Sequence, residues 1–336
     1  MVANMIALKL GSSYTSIYKM GEGIVLFEPT MVAYTGVGKS RNIKAVGNKA
    51  KKILGRTTGQ TYVNSPIFEG RVADTDLCVS MLKTFLAKIF PKRIIKPRIK
   101  AVVCVPMGLT LSEKKAYEKV CFLSGIQDVV LVPSILCAGL GYNLPIAEPS
   151  GMMLVNIGGG STDIAVTSLG GIVDGINLGI GGEMMDTAVE KYILDKYNLI
   201  IGKPTAEKIK IEVGSLYCND MSNTEVMGLD KESKLSRVEV VESKDVYDAI
   251  QCYYNKIAEA IQIVLNNCPP NLVEDVTNEG IYMLGGASLI TGADQYFRKK
   301  LNVNVIVEDP TSAIDVIGAG KLLSDPKLYN EFKDLI

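Results

Sequence analysis

Short apolar runs alternate along the chain with longer stretches of helical periodicity. Runs of strand length, bounded by glycine, proline or polar residues, occupy 5–10, 101–106, 129–132, 152–157 and 280–284. Between them, apolar residues recur at three- and four-residue spacing over 76–90, 112–124, 183–197, 205–217 and 245–267, which predicts helices. The helix at 112 opens Ser-Glu-Lys-Lys, so Ser112 is the expected N-cap. The polar stretch 219–244 predicts an excursion of short strands or loops. Strands alternating with helices over 336 residues predict an α/β protein of two lobes.

An internal repeat sharpens this picture. Residues 8–19, LKLGSSYTSIYK, lie over 155–166, VNIGGGSTDIAV, with Gly11 on Gly158, Thr15 on Thr162 and Ile17 on Ile164, an offset of 147 (158 minus 11). Farther on, GEGIV ending at Val25 meets LGGIV ending at Val173, an offset of 148 (173 minus 25). Each copy reads as a strand, a small-residue turn, a second strand and another glycine turn, so duplication is the better explanation. Successive backbone N–H groups in tight turns form anion-binding concavities, and two such turns aimed at a shared cleft would grip a triphosphate. Gly158, Gly159 and Gly160 with Ser161, Thr162 and Asp163 allow close approach and add hydroxyl donors; alone they would be a plain β-turn. MLGGASLITG at 283–292 predicts a strand broken by Gly285 and Gly286 with a helix starting near Ser288, a wall for a purine or ribose or simply a strand-to-helix corner.

Two further motifs divide similarly. AYTGVGKS at 33–40 satisfies a relaxed phosphate-loop pattern, but the residues after its lysine alternate like a strand where a helix is required, so a hairpin tip is expected. PKRIIKPR at 91–98 is either one more surface loop or a small membrane-touching tip. In the second case Ile94 and Ile95 enter the headgroup boundary and Lys92, Arg93, Lys96 and Arg98 attract anionic lipid, weakly in one copy and strongly along a polymer.

Composition removes several function classes. Lys plus Arg equals Asp plus Glu at 36 each, so no global field draws the chain to nucleic acid. There is no histidine, which rules out Ser-His and Cys-His hydrolases and the commonest transition-metal ligand. The seven cysteines lack Cys-x-x-Cys spacing and read as buried free thiols. No apolar run reaches the roughly 20 residues of a membrane span, and the start shows no basic leader, so a cytoplasmic protein is expected.

Taken together, NIGGGSTDIAVTSLGGIV, AVGNKAKKILGRTTG, GEMMDTAVEKYI, IGKPTAEKIKIEVGS, CPPNLVEDVTNEGI and LGGASLITG resemble MreB-type bacterial actin, in one order from about Ala7 to Gly320. The resemblance implies an actin-like (ribonuclease H-like, duplicated) fold, with two lobes around a central nucleotide cleft. The first lobe would cover 1–145, with a small subdomain near 32–75 and completion by 315–336; the second would cover 146–314, with a small subdomain near 182–244. It implies ATP or ADP, with Mg²⁺ doubtful, and filaments on the inner face of the cell membrane that organise cell shape or motility. Partners would be further copies, paralogous filament proteins and the membrane surface. Gly11, Ser12, Ser13, Tyr14, Gly158, Gly159, Gly160 and Ser161 would line the phosphates, and Gly182, Glu207, Lys210, Gly285, Gly286, Ala287 and Ser288 the ribose and base. Ile94 and Ile95 fall where some members carry an apolar membrane tip.

The departures matter as much. Where the family has an aspartate before the first glycine turn this chain has Lys9, and the second aspartate is Asn156. The water-activating glutamate aligns with Ser134. No catalytic set is intact, Ser161, Thr162 and Asp163 being the residual polar candidates. An ammonium beside the phosphates would neutralise them directly and compete with a metal, so nucleotide binding with very slow or absent hydrolysis is expected. The rival for Lys9 is a lysine turned out of the cleft and paired with a neighbouring acid. The rival functions are a small-molecule phosphotransferase of the same fold and a non-polymerising ATP-switched membrane anchor.

Overall fold

The computed structural model describes residues 4–56, 59–90, 98–308, 313–325 and 327–329. The chain separates into two compact units: Met1–Ser150 with Thr167–Val173 and Thr311–Ile336, and Gly151–Val166 with Asp174–Pro310.

The first unit contains β1 (Asn4–Leu10), β2 (Tyr14–Lys19), β3 (Gly23–Pro29), β4 (Val32–Thr35), β5 (Asn42–Val46), α1 (Asn48–Lys51), β6 (Thr61–Asn64), β7 (Ile67–Phe68), β8 (Arg71–Val72), α2 (Thr75–Ile89), β9 (Ile99–Val105), α3 (Leu111–Ser124), β10 (Asp128–Pro133) and α4 (Ser134–Gly141). Its main sheet has the order β10-β9-β1-β2-β3, with β1 antiparallel to β2 and parallel to β9. Alternate residues of these strands, including Leu8, Ile17 and Val103, pack with Met81, Leu82 and Phe85 of α2 and Tyr117 of α3 in one core.

β11 (Met152–Ile157), β12 (Thr162–Ser168) and β13 (Gly171–Leu178), the last two apart from the stretch Thr167–Val173 counted with the first unit, are followed in the second unit by α5 (Gly182–Tyr197), β14 (Leu199–Ile200), α6 (Lys203–Val213), β15 (Asn223–Asp230), β16 (Ser236–Glu242), α7 (Ser243–Asn267), α8 (Pro270–Glu279), β17 (Ile281–Leu284), α9 (Ala293–Leu301) and β18 (Val305–Val307). The sheet order β13-β12-β11-β17-β18 matches the first sheet strand for strand, and again the first strand of the repeat runs parallel to its crossover neighbour. The repeat in the sequence is therefore a duplication of topology. α7 shows its origin most plainly: Val246, Ile250, Tyr254, Ile257, Ile261 and Val264 recur every three or four residues and are all buried.

Several expectations are corrected. The N-cap of α3 is Thr110, not Ser112: the Glu113 N–H donates to Thr110 Oγ1 at 3.3 Å while the Thr110 N–H donates to Glu113 Oε2 at 2.8 Å. This reciprocal box satisfies two end donors at once, which Ser112 could not do from its place inside the first turn. The helix at 205–217 ends at Val213, where Gly214 lies against the Lys210 carbonyl too closely for any side chain. The helix expected near Ser288 is a 3-10 turn over Gly286–Leu289, and α9 starts at Ala293. Cys218 and Cys252 are exposed; Cys78, Cys104, Cys121, Cys137 and Cys268 are buried, and all seven are free. The segment 33–40 is a hairpin, β4 pairing antiparallel with β5 across the 3-10 turn Gly38–Ser40. Ile94 and Ile95 lie outside the described residues. Among the described residues no helix is long and apolar enough to cross a membrane.

Two helices that the sequence pattern did not mark build the floor of the first unit. α10 (Ile314–Ser324) packs across α4 with the backbones nearly touching. A Cβ at Gly141 would sit 2.5 Å from the Ile314 carbonyl, and one at Gly318 would collide with the Cys137 carbonyl. Lys321 closes the contact by donating to the carbonyls of Leu140 and Gly141, at 2.6 and 3.0 Å. Gly318→Ala should therefore destabilise the protein by about 1–3 kcal/mol, the usual cost of overpacking, measured as a lower urea midpoint at unchanged slope. An unchanged midpoint would show that the helices are not held this closely.

Candidate functional site: paired glycine turns and a buried ion pair

The two repeats make the same turn. In the first, the Gly11 N–H donates to the Tyr14 carbonyl at 3.1 Å; in the second, the Gly158 N–H donates to the Ser161 carbonyl at 2.9 Å. Each bond runs from the N–H of the first residue to the carbonyl of the fourth, the ladder bond that closes a two-residue hairpin loop at the end of a buried strand. Glycine is required at 11, because a Cβ there would stand 2.7 Å from the Tyr14 carbonyl.

Around the first turn, contacts of backbone or side chain hold the residues the sequence nominated. Ser12 is buried, its Oγ accepting from the Gly70 N–H at 3.0 Å and its carbonyl from Ser65 Oγ at 3.0 Å. The Ser13 carbonyl accepts from the Thr30 N–H at 2.9 Å. Tyr14 stacks on Phe27 with ring centroids 4.7 Å apart and receives Lys51 Nζ at its hydroxyl, 3.3 Å away. Neither Phe27 nor Lys51 was marked by the sequence pattern.

Lys9 does not extend alone toward an anion. Its stem runs beneath the turn, Cε standing 3.7 Å from where a Gly11 side chain would be, and its ammonium pairs with Asp315 in the first turn of α10. The neighbouring acid that the rival reading of Lys9 calls for is thus present, as Asp315. The same carboxylate oxygen of Asp315 accepts from Ser134 Oγ at 2.6 Å. Thus two of the three departures from the family pattern meet on one buried carboxylate. Asp315 itself escaped the sequence reading, since 306 residues separate it from Lys9 and its helix has no polar face to read.

The second turn is seated on the start of α5. The N–H groups of Gly182 and Glu183 donate to the carbonyls of Gly158 and Gly159 at 3.0 and 2.8 Å, and a Cβ at Gly181 would lie 2.8 Å from the Gly160 carbonyl carbon. Thr162 Oγ1 bonds the Ile180 carbonyl at 2.7 Å, and Asp163, buried, accepts from Asn177 Nδ2 at 2.8 Å, so both serve the fold of the repeat. Asn156 is buried at the strand end, where Gly285, with φ of 87°, leaves room: a Cβ there would stand 2.6 Å from Asn156 Oδ1.

The residues nominated for ribose and base also converge. Lys210 Nζ donates to the Gly182 carbonyl at 2.9 Å and lies 2.6 Å from Asp186 Oδ1. A side chain at Gly182 would meet Lys210 Nζ at 3.1 Å and Ala287 Cβ at 3.9 Å. Glu207 stands one turn before Lys210 on α6. Burial raises the Asp186 carboxyl above its ordinary value, Lys210 opposes this, and Glu207 and Glu183 add to the rise. Tyr254 from α7 bonds the Ala287 carbonyl at 2.6 Å, and Ser288 Oγ bonds the Gly285 carbonyl at 2.6 Å, holding the Gly286–Leu289 turn.

Comparison with known proteins gives consistent matches. The family profile described as MreB/Mbl protein covers residues 3–331. The cell shape-determining protein MreB of Escherichia coli strain K12 is 35% identical over 327 residues, which span 96% of this chain and 94% of that protein. The crystal structure of MreB5 of Spiroplasma citri bound to ADP superposes with a TM-score of 0.89 at 29% identity, covering 98% of each chain. The same protein bound to AMPPNP gives a TM-score of 0.87 at 27% identity over 100% of each chain.

The ion pair at Asp315 should be measurable by itself. The Lys9 and Asp315 side chains are 29% and 6% exposed, so a double-mutant cycle of Lys9→Ala and Asp315→Ala should give a coupling of about 1–3 kcal/mol, above that of surface pairs. A coupling near zero by urea unfolding would mean that the pair does not form.

Proposed function

The chain belongs to the MreB/Mbl family, and from that premise we propose that it is a nucleotide-binding, filament-forming cytoskeletal protein acting in cell shape or motility. The observation that carries the reading is the duplicated turn, with one N–H to carbonyl bond repeated at Gly11 and Gly158. Such turns present successive N–H groups to an anion. The structures of MreB5 that this chain superposes on were solved with ADP and with AMPPNP, which supports an adenine nucleotide here. The nominated residues Ser12, Ser13 and Tyr14, and Gly159, Gly160 and Ser161, are proposed to contact its phosphates. Gly182, Glu207, Lys210, Gly286, Ala287 and Ser288 are proposed to contact the ribose and base.

Hydrolysis is proposed to be very slow. Ser134 is buried and its hydroxyl is committed to Asp315, and an alcohol has no basicity with which to take a proton from water. Asn156 supplies an amide where a carboxylate would orient solvent. Self-association into protofilaments, paralogous filament partners, a cytoplasmic location and contact with the inner membrane face through the basic and aliphatic segment at 91–98 complete the reading.

Purified protein with ATP should pellet and scatter light in a concentration-dependent way, which a monomeric phosphotransferase or anchor would not. Phosphate release should fall about 100-fold or more below that of the Escherichia coli relative, the loss expected without a general base. The combined substitutions Lys9→Asp, Ser134→Glu and Asn156→Asp should raise it. Release from the unaltered protein at the relative's rate would contradict the proposal.

A further inference from the structure

We propose that the outer face of the three-stranded sheet β14-β15-β16 is a self-pairing surface, on which a second copy of this chain docks about a twofold axis lying across the strands.

The sheet belongs wholly to the second unit, with β15 antiparallel to both of its neighbours. An antiparallel sheet with one open face ordinarily turns apolar residues inward and polar ones outward. Here the two faces are nearly exchanged. On the inward side Val226 and Val241 are buried in the core, but the same side also carries Asp230, Arg237 and Glu239. Those three neutralise one another, Arg237 Nη1 lying 2.8 Å from Asp230 Oδ2 and Arg237 Nε 3.1 Å from Glu239 Oε1. On the outward side Met227 stands opposite Val238, Val240 follows two residues on, and Leu229 pairs with Ile200 of β14. These five aliphatic side chains are 38% to 69% exposed, so they form one continuous apolar strip open to solvent. A shift of register by one residue would turn the strip inward. Arg237 holds the register by also donating to the Tyr197 carbonyl.

Charge decides what covers the strip. Glu225 and Glu242 mark one end of the outer face, and the turn at 231–235, with Lys231 and Lys234, closes the other. Glu232 offsets one of those lysines, and at the acidic end Lys244 is already paired with Asp248 at 2.6 Å, so the two ends keep opposite signs. An anionic lipid surface would be repelled at the glutamates, and a partner of single charge sign at one end or the other. A second copy fits when turned end for end. A twofold axis along the strands would stack glutamate on glutamate. An axis across them sets each glutamate end over the partner's lysine turn and brings Met227 and Val238 close to their own counterparts, an isologous contact. The strip is on the order of the 300–600 Å² of the largest patch on a typical monomer, against roughly 800 Å² per partner in a standard interface. The contact is therefore weak between two free copies and strong when many copies are held in a row.

The contact needs no nucleotide, so the test is sedimentation velocity of the full chain without nucleotide, from about 1 to about 100 µM. The unaltered protein should show a reversible monomer–dimer equilibrium in this range. Val238→Asp, at an exposed position, should raise the dissociation constant at least about tenfold. Glu225→Lys and Lys234→Glu should each raise it about threefold, and the two together should associate more tightly than either alone. A double variant weaker than both single ones would overturn the proposal. A chain that stays monomeric throughout while still pelleting with ATP would overturn it and leave the proposed function standing. Loss of cosedimentation with phosphatidylglycerol vesicles in Val238→Asp, with the dimer unchanged, would overturn it in favour of a membrane contact.

Discussion

A buried carboxylate must be compensated, and Asp315 sets that requirement for the first unit. Lys9 from the central strand and Ser134 from the first residue of α4 meet it, which ties β1, α4 and α10 to one point. The close crossing of α10 over α4, permitted by Gly141 and Gly318, is what brings Asp315 within reach of both. Remove the compensation and a charge is left in a tightly packed floor directly under the Gly11 turn. The departures at 9 and 134 are in this sense one change rather than two: a lysine beside an unreplaced glutamate and Asp315 would still leave an acid over, and a serine beside an aspartate would leave two.

The second unit solves the corresponding position differently. Its strand end carries the neutral Asn156, packed under Gly285, and its turn is fixed from the backbone by the N–H groups of Gly182 and Glu183. The repeat has thus kept what the backbone does and changed what the side chains do. Turn geometry is conserved in space between Gly11 and Gly158, while the charge next to it is cationic in one copy and absent in the other.

That division explains how far the sequence could be read. The paired turns were legible because strands have a period of two and tight turns demand small residues, so Gly11 and Gly158 mark themselves. The hairpin at 33–40 was legible for the same reason, as was amphipathic α7. α4 and α10 were not: every residue of α4 is buried and most of α10 is, so neither has a polar face from which to count a period. The capping residue of α3 was misplaced by two because two hydroxyl candidates, Thr110 and Ser112, stand one residue apart, although the Thr-x-x-Glu spacing from Thr110 to Glu113 marks the first of them. Lys9 stood out as anomalous in the sequence, but its partner could not be found there, since contact across 306 residues leaves no local trace.

The paired glycine turns carry the reading, and the most direct measurement on them is a crystal structure of the chain grown with ADP. Phosphate oxygens bonded by backbone N–H groups of the Gly11 and Gly158 turns, with Lys9 still paired to Asp315, are the predicted result. ADP absent from both turns would contradict it.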